Sequence, residues 1–278
     1  FPLLSYLFAL ICLLWIDANT MKAPANRRVY VVGYGAATPL GATFPATWRQ
    51  AVQGKSGLRR LTRCEVDTRN NVVGEIPDWH PEGLDFVDKK EAYNWNADFV
   101  LLTMAVCREA LAHAGLSMDA QIGPRTACLV GSALNGTDAF RIAMDNFTTR
   151  GPLKISPYLL PNLCANLPAG KSGMLEGFTG PIFSPQGACA SGNHAIGIGA
   201  RMIRDGDCDV ALVGGVDTCL VPEIIHGFAN MLATISIGPK DRAFQDPEQA
   251  SRPFSIDRKG MVLAEGGGVA AQLAHRLA

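Results

Sequence analysis

The amino-acid sequence predicts an α/β protein with a largely parallel β-sheet. Short β-branched or apolar runs alternate with longer segments whose apolar residues recur at helical spacing, which is typical of βαβ units. Hydrophobic residues make up 48% of the 278 residues and charged residues only 18%, which is enough apolar material for a large core. The 29 Gly and 17 Pro are dispersed along the chain, as in a loop-rich enzyme.

The first half of the chain contains two predicted strands with a long helix between them. Residues 28–34 form a β-branched run and predict the first strand. Residues 95–114 have apolar side chains at helical spacing, and Gly115 follows as the residue that ends the helix. Residues 126–131 form a continuous apolar run, which predicts a buried strand.

The second half contains a broken segment, then a strand, a helix and another strand. Residues 156–170 include Pro157, Pro161 and Pro168 and therefore cannot form one regular element. Residues 181–187 predict a short extended run, residues 193–204 a helix, and residues 208–214 a further buried strand.

The charge balance excludes classes of protein that bind through electrostatic attraction. The 25 Lys+Arg equal the 25 Asp+Glu, so no net field favours nucleic acid or an anionic membrane. The eight cysteines form no CxxC or CxxH pair, so we expect no metal site. Cys107, Cys128 and Cys208 lie in apolar runs, where a free thiol acts as a small hydrophobic group, and this favours a reducing, cytoplasmic compartment.

Residues 1–20 differ in character from the rest of the sequence. The first 16 residues carry no charge, and as a helix they would span about 24 Å, less than a hydrocarbon core of about 30 Å. We expect residues 1–20 to lie outside the folded domain, which would comprise residues 21–278 and begin at Met21. The alternative is a membrane anchor or export signal in residues 1–16, truncated at its front, and an anchor would make the protein membrane-associated.

Two segments approximate nucleotide-binding loops but lack essential features. Residues 165–172 end like a phosphate-binding loop, but the first glycine is missing and Pro168 removes a backbone amide. Gly33 and Gly35 follow the first strand as in a dinucleotide-binding fingerprint, but Thr38 replaces the third glycine. We therefore set nucleotide binding aside and interpret residues 33–38 as a structural turn.

A cysteine lies at a predicted strand–turn–helix junction. Cys189 follows the extended run at residues 181–187 and precedes the helix at residues 193–204. At a helix N-terminus, the dipole and the free amide groups favour a thiolate, which is the nucleophilic form of cysteine. The residues alone leave two interpretations open, a nucleophile or a packing thiol like the other seven.

Four segments, taken together, carry a resemblance to one family. They are VVGYGAATPLG at residues 31–41, ISPY with NLPAG at 155–158 and 166–170, the segment from GACASGNHAIG at 187–197 to VALVGGVD at 210–217, and ASRPFSIDRKG with AEGGGV at 250–260 and 264–269. In this order they resemble motifs of the β-ketoacyl-acyl-carrier-protein synthases. The resemblance spans about residues 28–273.

The resemblance implies a fold, a reaction and a partner. The fold is thiolase-like, an α-β-α-β-α layered sandwich of two related halves, usually in a homodimer. The activity is that of an acyltransferase in fatty acid or polyketide biosynthesis. Cys189 would take an acyl group as a thioester from acyl carrier protein and condense it with malonyl-acyl-carrier protein in a decarboxylative Claisen reaction, without a cofactor.

The resemblance also assigns roles to further residues. Glu265 aligns with an acidic residue behind the active site and Asp257 with a nearby position of a polar network, although a structural salt bridge is the alternative for both. Lys89 and Lys90 match a basic stretch that docks the carrier protein. The resemblance also implies that the helix after Cys189 packs closely in the interior, and the small residues Gly197 and Gly199 would allow this.

The family's two catalytic histidines, a lysine and a Gly-Phe-Gly loop belong to its second half, whereas this sequence stops at Ala278. We therefore expect a largely complete N-terminal half, with the C-terminal half missing. Such a chain should be acylated at Cys189 without decarboxylating malonyl-carrier protein, and it should expose a hydrophobic face.

Three other classes of protein remain as alternatives. A non-catalytic partner subunit of the chain-length-factor type normally lacks the cysteine, so Cys189 argues against it. A thiolase using coenzyme A esters shares the fold but not the segment Arg252-Pro253-Phe254. A nucleotide-binding enzyme depends on the incomplete loop at residues 165–172. The sequence does not decide between fatty acid and polyketide synthesis.

Overall fold

The fold is built on a five-stranded β-sheet. The structure is a computed structural model that describes residues 27–79, 84, 90 and 97–274. The strands of this sheet are β1 (Val29–Ala37), β4 (Thr126–Gly131), β5 (Ile182–Phe183), β6 (Val210–Asp217) and β7 (Gly266–Ala274). A separate two-stranded ribbon joins β2 (Arg59–Arg60) to β3 (Val72–Val73). The helices are α1 (Phe44–Ala51), α2 (Asp98–Ala114), α3 (Thr137–Arg150), α4 (Leu159–Asn162), α5 (Leu167–Glu176), α6 (Ser191–Asp205), α7 (Pro222–Asn230) and α8 (Arg242–Gln245).

The sheet is mixed, in the order β1-β7-β6-β4-β5. β4 pairs in parallel with both β5 and β6, whereas β7 runs antiparallel to its neighbours β6 and β1. Four strands therefore run in one direction, as the prediction of a largely parallel sheet requires. The antiparallel β7 between β1 and β6 was not predicted.

Helices cover both faces of the sheet. On one face α2 and α5 pack against a core that includes Phe99, Leu102 and Val130. On the other face α6 packs against a core that includes Leu129 and Ile203. Because side chains alternate along a strand, Leu129 and Val130 of β4 serve opposite cores, and this explains why the whole strand is buried.

Most element predictions are confirmed, with shifted ends. The strand at residues 126–131 is confirmed, and the helix predicted at 95–114 is observed from Asp98 to Ala114. Gly115 ends it with a left-handed φ of 65°, which glycine adopts without strain. The proline-containing segment divides into α4 and α5, and the strand predicted at 208–214 is observed at Val210–Asp217.

The interpretation of residues 33–38 as a turn is wrong, because β1 continues through both glycines to Ala37. A Cβ atom on Gly33 would lie 2.2 Å from the carbonyl oxygen of Ala110, and one on Gly35 would lie 1.9 Å from that of Val106. The glycines therefore serve close contact between β1 and the backbone of α2. The motif that resembled a nucleotide fingerprint is a packing feature.

The outer edge of β1 is capped by two side chains of α2. The N–H of Tyr34 donates to Nδ1 of His113 at 3.1 Å, and the N–H of Ala36 donates to a carboxylate oxygen of Glu109 at 2.8 Å. The other oxygen of Glu109 accepts the N–H of Phe44 at the start of α1, also at 2.8 Å. Glu109 thereby ties the sheet edge to the first turn of α1.

The packing prediction for α6 is half confirmed. A Cβ atom on Gly199 would lie 2.4 Å from Cγ1 of Val213, so this glycine does allow close contact with the sheet. The prediction for Gly197 is wrong for the described residues, because a Cβ atom there meets nothing within 4 Å. Gly197 faces outward between the exposed side chains of Ile196 and Ile198, so α6 has an exposed apolar stripe.

No helix in residues 27–79 and 97–274 combines the length and apolar character needed to cross a membrane.

Candidate active site

Cys189 lies in a tight turn between β5 and α6. A single 3₁₀ turn, Ala188–Ala190, connects the loop after β5 to the first residue of the helix, Ser191. The thiol is free and exposed. The predicted strand–turn–helix arrangement around Cys189 is therefore present.

The residue before the cysteine adopts a strained backbone conformation. Ala188 has a φ of +50°, in the left-handed region that non-glycine residues usually avoid. The hydroxyl of buried Ser191 donates to the carbonyl oxygen of Ala188 at 2.7 Å and accepts the N–H of Gly187 at 3.0 Å. These two hydrogen bonds hold the turn closed against the strain and fix the direction of Cys189.

Glycines bring the start of α6 directly onto the ends of two strands. A Cβ atom on Gly131, the last residue of β4, would lie 2.5 Å from Cβ of Ser191. A Cβ atom on Gly215 of β6 would lie 3.0 Å from Cα of Gly192. Cys189 therefore lies beside the carboxyl ends of parallel strands, where α/β proteins commonly bind ligands.

The start of α6 adjoins the turn that carries Cys189, and the N–H of its first residue, Ser191, donates to the carbonyl oxygen of Ala188. The residue before the helix, Ala190, has no side-chain oxygen to cap the first-turn amide groups. Uncapped amides and the positive end of the helix dipole stabilise negative charge near them. Such a terminus can stabilise an oxyanion formed on a bound carbonyl.

A cleft of about 450 Å³ opens beside the cysteine. Its lining includes Cys189, Asn193, Ile196, Asp217, Glu265 and Gly266. Of the predicted network residues, Glu265 thus shares the cleft with Cys189. Asp257 does not line it and lies instead at a separate cavity of about 360 Å³, with Lys240 and Lys259.

Burial separates Cys189 from the structural thiols. Cys107, Cys128 and Cys208 are completely buried, as predicted. Burial raises the pKa of Cys208 to about 11 and that of Cys219 to about 12, so both remain neutral thiols near pH 7. Cys164 is also exposed, but it does not line the cleft, whereas Cys189 does.

Asp217, at the end of β6, organises the opposite side of the cleft. Its carboxylate accepts hydrogen bonds from the hydroxyl of Ser132 at 2.8 Å and from the N–H groups of Ala133 at 3.0 Å and Leu134 at 2.9 Å. These bonds hold the loop that follows β4. Asp217 was not predicted as a site residue, although an acid directly after a buried apolar strand is a recognisable signal.

Glu265 belongs to a buried ion-pair network, which agrees with the salt-bridge alternative, but the other members, Arg63 and Glu75, were not predicted. Its side chain is 1% exposed, accepts the N–H of Ile76 at 2.8 Å and pairs with the guanidinium of Arg63. The same guanidinium pairs with Glu75 at 2.8 Å. Burial alone would lower the pKa of Arg63, but the hydrogen bonds to Glu265 and Glu75 outweigh it and raise that pKa above its ordinary value.

The remaining predicted residues lie away from the cleft or are not among the described residues. Exposed Asp257 accepts hydrogen bonds from the hydroxyl of Ser255 and from Nε of Arg252, and these hold its pKa below the ordinary value. Lys90 is exposed, and Lys89 is outside the described residues. Among the described residues, no group of three or more His, Cys, Asp or Glu is placed to hold a metal ion.

Comparisons with known proteins agree with this geometry. Residues 26–272 match the family model of the beta-ketoacyl synthase N-terminal domain. The chain is 31% identical over 245 residues to "3-oxoacyl-[acyl-carrier-protein] synthase 2" of Staphylococcus aureus (strain COL), covering 88% of this chain and 57% of that protein. The corresponding protein of Coxiella burnetii is 32% identical over 242 residues, covering 87% of this chain and 56% of that protein. The chain thus spans somewhat more than half the length of these curated relatives.

Solved structures show the same fold at lower identity. The ishigamide ketosynthase/chain length factor aligns with a TM-score of 0.76 at 24% identity, covering 91% of this chain and 60% of that one. A type II polyketide ketosynthase in complex with its acyl-carrier protein aligns with a TM-score of 0.73 at 23% identity, covering 90% and 59%. These likenesses confirm the expected fold class, a mixed α/β architecture shared with ketosynthases.

Proposed function

Because the chain belongs to the β-ketoacyl synthase family, we propose that it acts as a 3-oxoacyl-acyl-carrier-protein synthase whose nucleophile is Cys189. The observation that carries this proposal is the exposed thiol at the uncapped start of α6, beside a cleft at the carboxyl ends of β4 and β6. An exposed nucleophile with backbone donors next to it suits attack on a thioester carbonyl.

The first step transfers an acyl group to the enzyme. The Cys189 thiolate attacks the carbonyl carbon of an acyl thioester, and the resulting oxyanion is stabilised by the backbone amide of Cys189 itself, in the turn before α6. The carbon–sulfur bond to the carrier then breaks, and the carrier leaves as a thiolate that takes up a proton. A thiolate is both a good nucleophile and a good leaving group, so the acyl group can be transferred in either direction between Cys189 and the carrier.

The second step forms the carbon–carbon bond, and by the family resemblance it also depends on the catalytic histidines of the family's second half, so we assign it to the complete enzyme. Malonyl-acyl-carrier protein loses carbon dioxide, and the carbanion left at its α-carbon attacks the acyl-Cys189 carbonyl. The bond between that carbonyl and the Cys189 sulfur breaks, which regenerates the thiolate and releases a 3-oxoacyl chain longer by two carbons on the carrier. This places the protein in fatty acid or polyketide synthesis.

The proposed partner is acyl carrier protein. The curated relatives are named for this substrate, and one structural neighbour is a complex of a ketosynthase with its carrier. We assign docking to Lys89 and Lys90, of which Lys90 is exposed. Changing both to Glu should weaken acyl transfer from the carrier but not from a small thioester, because only the carrier presents an acidic surface.

Two structural assignments accompany this function. Residues 21–278 would form the folded domain, which includes the whole segment matched by the family model. The protein would act as a homodimer, and β5 supports this because it is the last strand of the sheet and exposes Phe183.

Intact-protein and peptide mass spectrometry would test the nucleophile. After incubation with hexanoyl-acyl-carrier protein, we expect a hexanoyl adduct on Cys189, absent in Cys189→Ser and retained in Cys164→Ser, which removes the other exposed thiol outside the cleft. An adduct formed only from hexanoyl-coenzyme A would instead support a thiolase. No adduct on Cys189 from either donor would refute the proposal.

A further inference from the structure

A single arginine holds the charged residues behind the cleft. We infer that Arg63 is a positioning residue for acyl transfer, because by holding Glu265 it fixes the cleft wall formed by Ala264, Glu265 and Gly266. This role presupposes the acylation of Cys189 proposed above, and it concerns a residue that is not part of the cleft lining.

Arg63 joins carboxylates from three separate parts of the chain. Its Nε pairs with Glu75 at 2.8 Å, one terminal nitrogen pairs with Glu265, and the other lies 3.6 Å from Asp98 at the start of α2. The Glu75 side chain is 6% exposed and the Glu265 side chain 1%, whereas Arg63 remains 37% exposed. The two glutamates are thus almost withdrawn from water, and the single guanidinium pairs with both of them.

The cleft wall has its own backbone connections to the segment that contains Glu75. The N–H of Gly74 donates to the carbonyl oxygen of Leu263 at 2.8 Å, and the N–H of Glu265 donates to that of Gly74 at 3.0 Å. Glu265 also accepts the N–H of Ile76. A displacement of the Glu265 side chain would therefore be transmitted to the backbone of residues 263–266.

Loss of Arg63 would remove the cation that pairs with these two buried carboxylates. A buried, unpaired charge is strongly unfavourable, and water or a proton must then compensate it. Movement of residues 264–266 toward the cleft is the accessible way to hydrate Glu265, because those residues already line it. The position of this wall then changes while the turn around Cys189, held by Ser191, stays in place.

Two electrophiles that react with Cys189, a thioester and iodoacetamide, would respond differently to this change. A thioester must seat its carbonyl and its pantetheine-like arm in the cleft, and a misplacement of about 1 Å can cost up to about a hundredfold in rate. Iodoacetamide needs only an accessible thiol, and Cys189 is exposed. The ratio of the two rate constants therefore reports the position of the wall rather than the overall stability.

The experiment compares acylation by octanoyl-N-acetylcysteamine with alkylation by iodoacetamide in the full chain. We expect Arg63→Met to slow acylation about tenfold with alkylation within twofold of the unsubstituted protein. Arg63→Lys should recover at least part of the loss because it restores a cation. Glu75→Gln is the matched control: it removes a carboxylate from the same arginine but leaves Glu265 paired, so both rates should stay within about twofold.

The outcomes separate the two proposals. If the unsubstituted chain is alkylated but never acylated, the proposed function fails. If it is acylated and Arg63→Met is acylated at an equal rate, or if Glu75→Gln slows acylation equally, or if Arg63→Lys recovers nothing, the positioning role is overturned. Should Arg63→Met fail to fold, Glu265→Gln is compared with Glu75→Gln. A larger loss of acylation in Glu265→Gln is expected, and equal effects would overturn the role.

Discussion

The hydroxyl of Ser191 donates to the carbonyl oxygen of Ala188 across the turn that carries Cys189, at a distance of 2.7 Å. The same hydroxyl accepts the N–H of Gly187. One buried side chain therefore satisfies two backbone groups of the residues just before the cysteine. Because Ala188 is strained, the geometry of Cys189 depends on this serine as well as on the helix that follows.

Ser191→Ala should destabilise the turn. Two backbone groups lose their partner, and we expect the free energy of unfolding to fall by about 1–3 kcal/mol. Urea denaturation followed by circular dichroism measures the change. Ser117→Ala, at an exposed position after α2, is the control and should change little. Equal losses in the two variants would contradict the role given to Ser191.

Substitutions at Ala188 should show the strain directly. Glycine adopts a positive φ without a Cβ penalty, so Ala188→Gly should leave stability unchanged or raise it by up to about 1 kcal/mol. Ala190 has a φ of −88°, so Ala190→Gly should cost about 0.5–1 kcal/mol. The measurement is the difference in urea midpoint between the two variants. A larger loss at position 188 than at 190 would contradict strain at Ala188.

Asp217→Ala should loosen the loop after β4. Hydrogen bonds to charged groups contribute about 1.5–3 kcal/mol each to stability, and Asp217 accepts bonds from one hydroxyl and two amides. We expect a loss of at least about 2 kcal/mol and faster amide exchange at Ala133 and Leu134, measured by hydrogen–deuterium exchange. Glu65→Ala, which removes an exposed acid, should leave both quantities unchanged.

Two glycines of α6 should respond in opposite directions to alanine. Gly197→Ala adds a methyl group in open space and should stabilise the helix by about 0.5–1 kcal/mol. Gly199→Ala places a Cβ atom 2.4 Å from Val213 and should destabilise by about 1–3 kcal/mol. Thermal unfolding of the two variants tests the pair. If both variants change the free energy of unfolding in the same direction, the placement of Gly199 toward the sheet and of Gly197 away from it is wrong.

The ion pair of Asp209 predicts a pH-dependent stability. Hydrogen bonds from Arg125, together with Arg27, hold the pKa of this carboxyl below its ordinary value despite partial burial. A lowered pKa in the folded state stabilises the protein above the unfolded-state pKa of about 4, and this contribution is lost as pH falls through the folded-state value.

Asp209→Asn should therefore cost up to about 1 kcal/mol at pH 7, with the cost shrinking as pH falls below about 4. Urea denaturation at several pH values measures this dependence. Asp207→Asn, at an exposed neighbouring position, is the control. A cost for Asp209→Asn that does not vary with pH would contradict an electrostatic origin.

The sequence was sufficient for features that depend on local pattern. The run at 126–131 and the glycine at 115 predict a buried strand and a helix end because periodicity and backbone freedom are local properties. The setting of Cys189 could be predicted for the same reason. The role of Gly35 was misjudged, because the sequence does not show which backbone passes beside it.

The buried network could not be predicted because its members are distant in sequence. Glu265 is far from Arg63 and Glu75 in the sequence, and only the folded chain brings the three together. Strand β7 was missed for a related reason. Its first residues, Gly266, Gly267 and Gly268, have low strand propensity, and the strand is stabilised by pairing with β6 and β1 on its two sides.

The capping of β1 by His113 and Glu109 limits how the protein can assemble. With the outward N–H groups of Tyr34 and Ala36 occupied, this edge offers few donors for strand addition, whereas β5 at the other end remains open. A sheet that extends through one edge only can join a second copy through the same edge of that copy. Such pairing would be isologous and would close at two subunits, whereas pairing through both edges would extend into a filament.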